Sequence, residues 1–220
     1  MSGTLQTDQA YDELRRRILI LEIRPEERLK EEDWARKLKV GRLAVREALT
    51  RLHGEALVSR GAKGGFFAAT MTERDVHEIR QVREVLEVAA LRIAGRSLTA
   101  EQIRELESTC DDFGYMVQKG YHTGACEADR RFHRLLVAAS GNGRLLRAYE
   151  HAHIPLFQVR LGQSREYMED YELTEREHRA IVVALKAGEV DKAVELLRAH
   201  FLRGEDEVLA IAVGDSAASK

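Results

Sequence analysis

The sequence predicts a mainly α-helical protein in two parts, a small N-terminal unit containing one hairpin and a C-terminal all-α bundle of six to seven helices. Three observations lead there. Apolar residues recur at helical spacing along nearly the whole chain. Strand and turn character is confined to 57–70, where Gly61, Gly64 and Gly65 interrupt the pattern. The charge balance also changes sign near residue 70: 14 Lys and Arg face 11 Asp and Glu in 1–70, against 21 and 26 in the remainder. With 44% hydrophobic and 33% charged residues among 220, the chain can bury two cores and keep a solvated surface. No apolar run approaches the roughly 18 residues a bilayer span requires. The polar stretch 1–11 lacks the apolar core of a secretory signal, so a soluble cytoplasmic protein with no membrane partner is expected. Two cysteines, Cys110 and Cys126, are too few for a disulfide framework or a zinc ribbon.

Taken in order, a first helix is expected over 7–21, ending before Pro25, with Tyr11, Leu14, Ile18 and Leu21 on its inner face. A second covers 31–38. The third, 42–53, buries Val45, Leu49 and Leu52 at i, i+4 and i+7. Strands at 57–60 and 66–69 follow, joined through Gly61-Ala62-Lys63-Gly64 as a hairpin or wing. Beyond it, Thr72, Thr99 and Thr174 are expected N-caps, and Glu177 stands at the capping-box position after Thr174. Further helices are expected over 121–139, 142–163 and 190–209, with breaks at Gly120, Ser140-Gly141 and Gly188 and a kink at Pro155. The domain limits are therefore 1–70 and 71–213, with a frayed tail at 214–220.

The turn Lys39-Val40-Gly41 between the second and third helices makes a helix-turn-helix, with Ala35, Val40, Val45 and Leu49 supplying small apolar contacts where the helices cross. The outer face of the third helix presents Arg42, Leu43, Arg46 and Thr50. An arginine near such a helix start can reach guanine O6 and N7 or a phosphate, while Arg60 and Lys63 in the wing would neutralise flanking backbone. Two arginines on a helix alone are usually only a solvated face. Joined to the turn, the apolar stripe and the Gly-rich hairpin, they point to double-stranded DNA. The run from Tyr11 to Phe67 resembles the winged helix-turn-helix of the GntR family, most closely in "VGRLAVREALTRL", and the resemblance implies DNA-contacting roles for Arg42 and Arg46, with Leu43 beside them. Three positions depart from that family's usual pattern: Gly41 replaces Ser or Thr, and Glu26 and Ala56 stand where Gly is usual. The lost hydroxyl at Gly41 removes one cap or phosphate hydrogen bond.

In the second part, polar residues sit inside apolar stripes. Asp129, Phe132, His133 and Leu136 share one helix face; His178 aligns with Ile181, Val182 and Leu185, and His200 with Ala193, Leu196 and Leu197. A lone core-facing histidine is ordinarily a hydrogen-bonded structural residue. Three such coincidences, with a carboxylate, would be satisfied together by one divalent metal. The runs "ADRRFHRLLVAASGN" and "EHRAIVVALKAGEVDKAVELLRAHF" resemble the helical domain, FCD, of the FadR-type branch of the GntR family. That resemblance implies Asp129, His133, His178 and His200 as metal ligands, and histidine-rich ligation suits zinc, nickel or manganese. Arg83, inside the stripe Ile79, Val82, Leu86 and Ala90, either pairs with Glu87 one turn on or meets a ligand anion; Arg160 is a second anion candidate and Asn142 a weaker one. His151 and His153, two residues apart, cannot share a helical face.

The expected function is a homodimeric transcriptional regulator, a repressor, whose grip on a pseudo-palindromic operator is controlled by a small carboxylate effector at the metal site. A metal sensor in which the ion itself is the signal is the first alternative. A metal-dependent hydrolase is the second, and it leaves the helix-turn-helix without a purpose.

Overall fold

The computed structural model describes residues 3–19, 22–70, 72–95, 97–152 and 167–218. They form two compact units, the first drawn from Met1–Met71 and the second from Thr72–Phe157 and Leu161–Lys220.

In the first unit the order is α1 (Gly3–Leu19), β1 (Arg28–Leu29), α2 (Glu31–Leu38), α3 (Arg42–Gly54), β2 (Val58–Arg60) and β3 (Phe66–Ala68). The hairpin β2–β3 is joined by β1 into an antiparallel sheet of order β1-β3-β2, with Arg28 opposite Phe67 and Arg60 opposite Phe66. At two residues, β1 is too short to show a period of two, which is why the sequence does not announce it. Helix α1 begins at Gly3, earlier than the expected residue 7. Its first turn is held by tertiary bonds: Thr7 Oγ1 donates to Glu47 of α3 at 2.8 Å, and Gln6 Oε1 accepts from the Gly41 N–H at 3.1 Å. Leu14, Trp34, Val45, Leu49, Leu52 and Phe66 lie in one buried cluster between helices and sheet. Gly64 and Gly65 at the wing tip have φ of 82° and 90°, which only glycine adopts without steric cost.

The second unit holds, among the described residues, six helices: α4 (Glu73–Ala94), α5 (Ala100–Gln118), α6 (His122–Ala138), α7 (Gly143–His151), α8 (Tyr167–Lys186) and α9 (Val190–Ala218). Thr72 and Thr99 cap α4 and α5 through capping boxes closed by Asp75 and Gln102. Thr174 is not a cap. It lies inside α8, because Glu177 is drawn away to His200 and Arg203 and the Thr174 hydroxyl accepts from Arg203 at 2.9 Å. Residues 214–218 continue α9 instead of fraying: extending an existing helix needs no new nucleus, and this stretch ends in two alanines. Helix α7 closes at His151, short of the expected residue 163; Pro155 and Arg160 lie outside the described residues. Leu91, Leu106, Phe132, Leu136, Ile181 and Leu197 fill the core. Among the described residues no helix is long and apolar enough to cross a membrane.

Candidate DNA-reading helix and metal centre

Helix α3 is amphipathic for a simple reason. Ala44, Val45, Ala48, Leu49 and Leu52 are buried against α1, α2 and the sheet, so the residues between them must face outward. Arg42, Leu43, Arg46 and Thr50 are all exposed, as the sequence predicts for a face that reads DNA. Thr50 Oγ1 donates back to the Arg46 carbonyl at 2.8 Å, which leaves its lone pairs outward. In the wing, Arg60 packs its guanidinium 4.9 Å from the centre of the Phe66 ring, and Lys63 is exposed at the turn. Sequence reasoning missed Glu31. Both Arg46 Nε and Nη2 donate to its carboxylate at 2.9 and 3.0 Å, and Arg42 Nε donates to it at 3.0 Å. Hydrogen bonding from Arg46 holds the Glu31 carboxyl below the ordinary carboxylate range despite partial burial. Glu31 opens α2, and nothing local in the sequence ties it to α3; the pairing is purely tertiary.

In the bundle, four side chains from three helices meet. Asp129 and His133 lie one turn apart on α6, His178 comes from α8 and His200 from α9, and one ligand atom of each lies within 4.8 Å of the others. The three imidazoles are buried. His178 Nε2 is 3.4 Å and His133 Nε2 3.6 Å from Asp129 Oδ1, and His133 Nε2 is 3.3 Å from His200 Nε2. Around a tetrahedral ion held at about 2.0–2.1 Å, neighbouring ligand atoms stand roughly 3.3 Å apart, so these separations suit a divalent cation. His178 supplies a second indication. Neither of its ring nitrogens makes a hydrogen bond among the described residues although both are buried, a cost the fold would not carry without a partner for one of them. The Phe132 ring, stacked on it at 4.0 Å, fixes its plane.

Three of the four groups have protonation preferences that suit ligation. Burial drives the His178 pKa well below its ordinary value, and the neighbouring His200 adds to the effect. Burial likewise lowers His200, against an opposing bond to Glu177. His133 is the exception: burial would lower it, but the Glu87 and Asp129 carboxylates together hold it above the ordinary value. Burial would raise Asp129, but its histidine neighbours overcome that desolvation and keep the carboxylate ionised.

Glu87 of α4 is fully buried and accepts three hydrogen bonds, from His133 Nδ1 at 2.6 Å, Arg83 Nε at 3.1 Å and Tyr149 Oη at 3.3 Å. Arg83 therefore does pair with Glu87, one of the two outcomes the sequence left open. Its Nη2 nevertheless remains buried and without a hydrogen bond among the described residues, and its guanidinium lies 4.5 Å from the Phe201 ring centre. Asn142 caps α7, accepting from the Arg144 and Leu145 N–H groups at 3.1 and 3.2 Å, which accounts for the residue without a ligand. His151 Nδ1 donates to the Arg147 carbonyl and is exposed; His153 lies outside the described residues.

A small sheet-backed helix-turn-helix followed by a helical bundle with a polar heart is the build of a two-domain bacterial regulator. Family models place it: residues 6–68 match the gntR family of bacterial regulatory proteins and residues 78–203 match the FCD domain. The chain belongs to the GntR family of transcriptional regulators, in the group that carries an FCD domain, and it is a DNA-binding regulator. Similar proteins include the Nta operon transcriptional regulator of Aminobacter aminovorans, 29% identical over 87% of this chain and 89% of its own. The HTH-type transcriptional regulator YdhC of Bacillus subtilis is 28% identical over 88% of this chain and 86% of its own. In fold, E. coli McbR/YncC superposes with a TM-score of 0.76 at 21% identity, covering 94% and 98% of the two chains. These relatives and domains are regulators, not enzymes, so the hydrolase alternative falls away.

Proposed function

We propose that this regulator holds a divalent metal through Asp129, His133, His178 and His200, and that a small carboxylate effector bound at this centre controls its hold on DNA. The observation that carries the reading is a cluster of four convergent ligand atoms beside a buried arginine, Arg83, whose Nη2 has no hydrogen-bond partner among the described residues. Charge supports it. A divalent ion and Arg83 bring three positive charges to the site, and Asp129 and Glu87 offset only two of them. A monoanion completes the balance, and burial makes an incomplete balance costly. A bound ion would supply Lewis acidity toward a carboxylate oxygen; the buried residues exclude water, burial favours the neutral form of His178 and His200, and Arg83 offers the second contact. The ligand set suits zinc, nickel or manganese. On the DNA side, Arg42, Leu43, Arg46 and Thr50 form the reading face and Arg60 and Lys63 the backbone contacts, with two copies of the chain meeting the two halves of a pseudo-palindrome. Asn142 and Arg160 are not needed for this reading.

Thermal unfolding of the purified protein against a panel of small carboxylates, with zinc present and after chelation, tests it, since a ligand that binds only the folded state raises the melting temperature by mass action. An acid that stabilises only the zinc-loaded protein is the expected result. Stabilisation by metal with no added effect from any acid, together with metal-dependent DNA binding, would make the ion the signal.

A further inference from the structure

Glu87, which is not one of the four ligands, is a fully buried polar group of the bundle. It sits on α4, is 0% exposed, and its two oxygens serve different neighbours: Oε2 accepts from His133 on α6, and Oε1 from Arg83 one turn back on α4 and from Tyr149 on α7. An ionised carboxylate can only accept, so the His133 bond at 2.6 Å fixes the proton on Nδ1 and leaves the Nε2 lone pair turned toward Asp129 and His200. The Arg83 bond uses Nε alone and leaves the buried Nη2 unmatched. His200 has a comparable carboxylate, Glu177, at 2.7 Å from Nδ1, but Glu177 is partly exposed and spends its other contacts on Arg203. Glu87 hydrogen-bonds both a candidate metal ligand and the candidate anion anchor.

We propose that Glu87 is a positioning residue that makes the two halves of the centre one unit, setting the tautomer of His133 for the metal with one oxygen and aiming Arg83 with the other. This rests on the metal reading given above. A glutamine in its place has one acceptor oxygen and one donor amide, and so cannot serve both neighbours. The charged Arg83 takes the oxygen, the amide N–H2 faces His133 Nδ1, and the imidazole is driven to carry its proton on Nε2, where it blocks ligation. A role limited to filling the core would leave tautomer and metal affinity alone.

The test uses the full-length protein and zinc alone. Zinc affinity is measured by competition with a chromophoric chelator for the wild type, Glu87→Gln and His133→Ala. Side-chain 15N spectra of the zinc-loaded protein follow the His133 Nδ1–H and the Arg83 Nε–H, the latter assigned with Arg83→Lys. The expectation is an affinity about 10–100-fold weaker in Glu87→Gln, the scale of losing an outer-shell partner, with both resonances displaced together. Unchanged zinc affinity in Glu87→Gln beside a loss in His133→Ala leaves the metal reading standing and overturns the proposal. A wild type that does not bind zinc overturns both. Should Glu87→Gln fail to fold, as judged by helical circular dichroism, the wild-type spectrum decides: coordination through His133 Nε2 with a hydrogen-bonded Nδ1–H supports the proposal, and coordination through Nδ1 overturns it.

Discussion

The two groups of arginines in this protein live under different physical rules. On α3, Arg42 and Arg46 are 58% and 54% exposed and lean on Glu31 in an environment where water can replace either partner. In the bundle, Arg83 and Glu87 are buried with histidines around them, and every donor that finds no acceptor is a standing cost. The first arrangement can be given up to an incoming phosphate or guanine at little expense, which is what a DNA-reading surface requires. The second cannot be rearranged cheaply, so it suits a site that must present a fixed geometry to an ion and an anion. Exposed charge is exchangeable and buried charge is structural, and substitutions in the two regions should separate accordingly.

The largest effect belongs to the buried set. Replacing His200 with Ala removes one of four ligands and should weaken zinc binding by more than about 100-fold, beyond the cost of losing an outer hydrogen bond. Chelator competition reads this directly, and a change below tenfold would remove His200 from the ligand set. On the exposed face, Arg46→Ala should cost about 1–3 kcal/mol of discrimination between a duplex selected from a random pool and bulk DNA. Lys63→Ala should instead weaken binding to both alike and lower the salt slope by about one. If Arg46→Ala also acts uniformly, Arg46 contacts phosphate and does not read a base.

Acid separates the regions further. His178 and His200 have lowered pKa values in the fold, so below the ordinary histidine value of about 6.5 the unfolded chain takes up more protons and stability falls as pH drops. His133 works in the opposite sense. Its pKa is raised, so its contribution is present below about 6.5 and is lost as pH rises through the folded value. Burial would raise Glu177, but His200 and Arg203 hold it down at about 2, so its contribution persists until the medium is more acidic than an ordinary carboxylate. With two lowered imidazoles against one raised, the metal-free protein should lose melting temperature between about pH 6.5 and 5, and His178→Gln should flatten that slope. A slope unchanged by His178→Gln would mean that this imidazole is not titrating on unfolding.

How much of this the sequence disclosed follows from where each partner lies along the chain. The exposed face of α3 was legible because turn, stripe and arginines fall within one short contiguous window, and the Asp129–His133 pair because both share one helical turn. His178 and His200 stood out singly as polar residues in apolar stripes, but residues on separate helices have no fixed spacing that joins them. They were grouped with the pair on α6 because one divalent metal would satisfy all four, and the resemblance to a family then supported that grouping.

Other features were hidden because their causes are tertiary. The two-residue strand β1 has no period to detect, and Glu31 meets α3 only once the helices cross. Glu87 was visible as the i+4 partner of Arg83, yet its bond to His133 spans 46 positions and leaves no local trace. Thr174 and Glu177 misled for the same reason: they have the spacing of a capping box, but His200 and Arg203 claim both side chains.

The smallest expected effect lies in the first unit and concerns backbone alone. Helix α3 ends in a Schellman arrangement, with the Leu57 N–H donating to the Leu52 carbonyl at 3.0 Å and the Ala56 N–H to that of His53 at 3.1 Å. Its closing residue, Ala56, therefore sits at φ 57°, and Glu26, before β1, sits at φ 65°. A side chain in this left-handed region costs about 1–2 kcal/mol, whereas glycine removes that cost and loses part of the gain to the greater freedom of its unfolded chain. Ala56→Gly should therefore stabilise the first unit by about 0.5 kcal/mol, read as a higher denaturant midpoint with an unchanged slope. Glu26→Gly should do the same, and the two should add, since neither shares a hydrogen bond with the other. A loss of stability at Ala56→Gly would mean that the αL strain is not relieved at the helix end. A loss at Glu26→Gly alone would mean that the glutamate side chain contributes more than its backbone costs, and that even an exposed charge in this unit is structural.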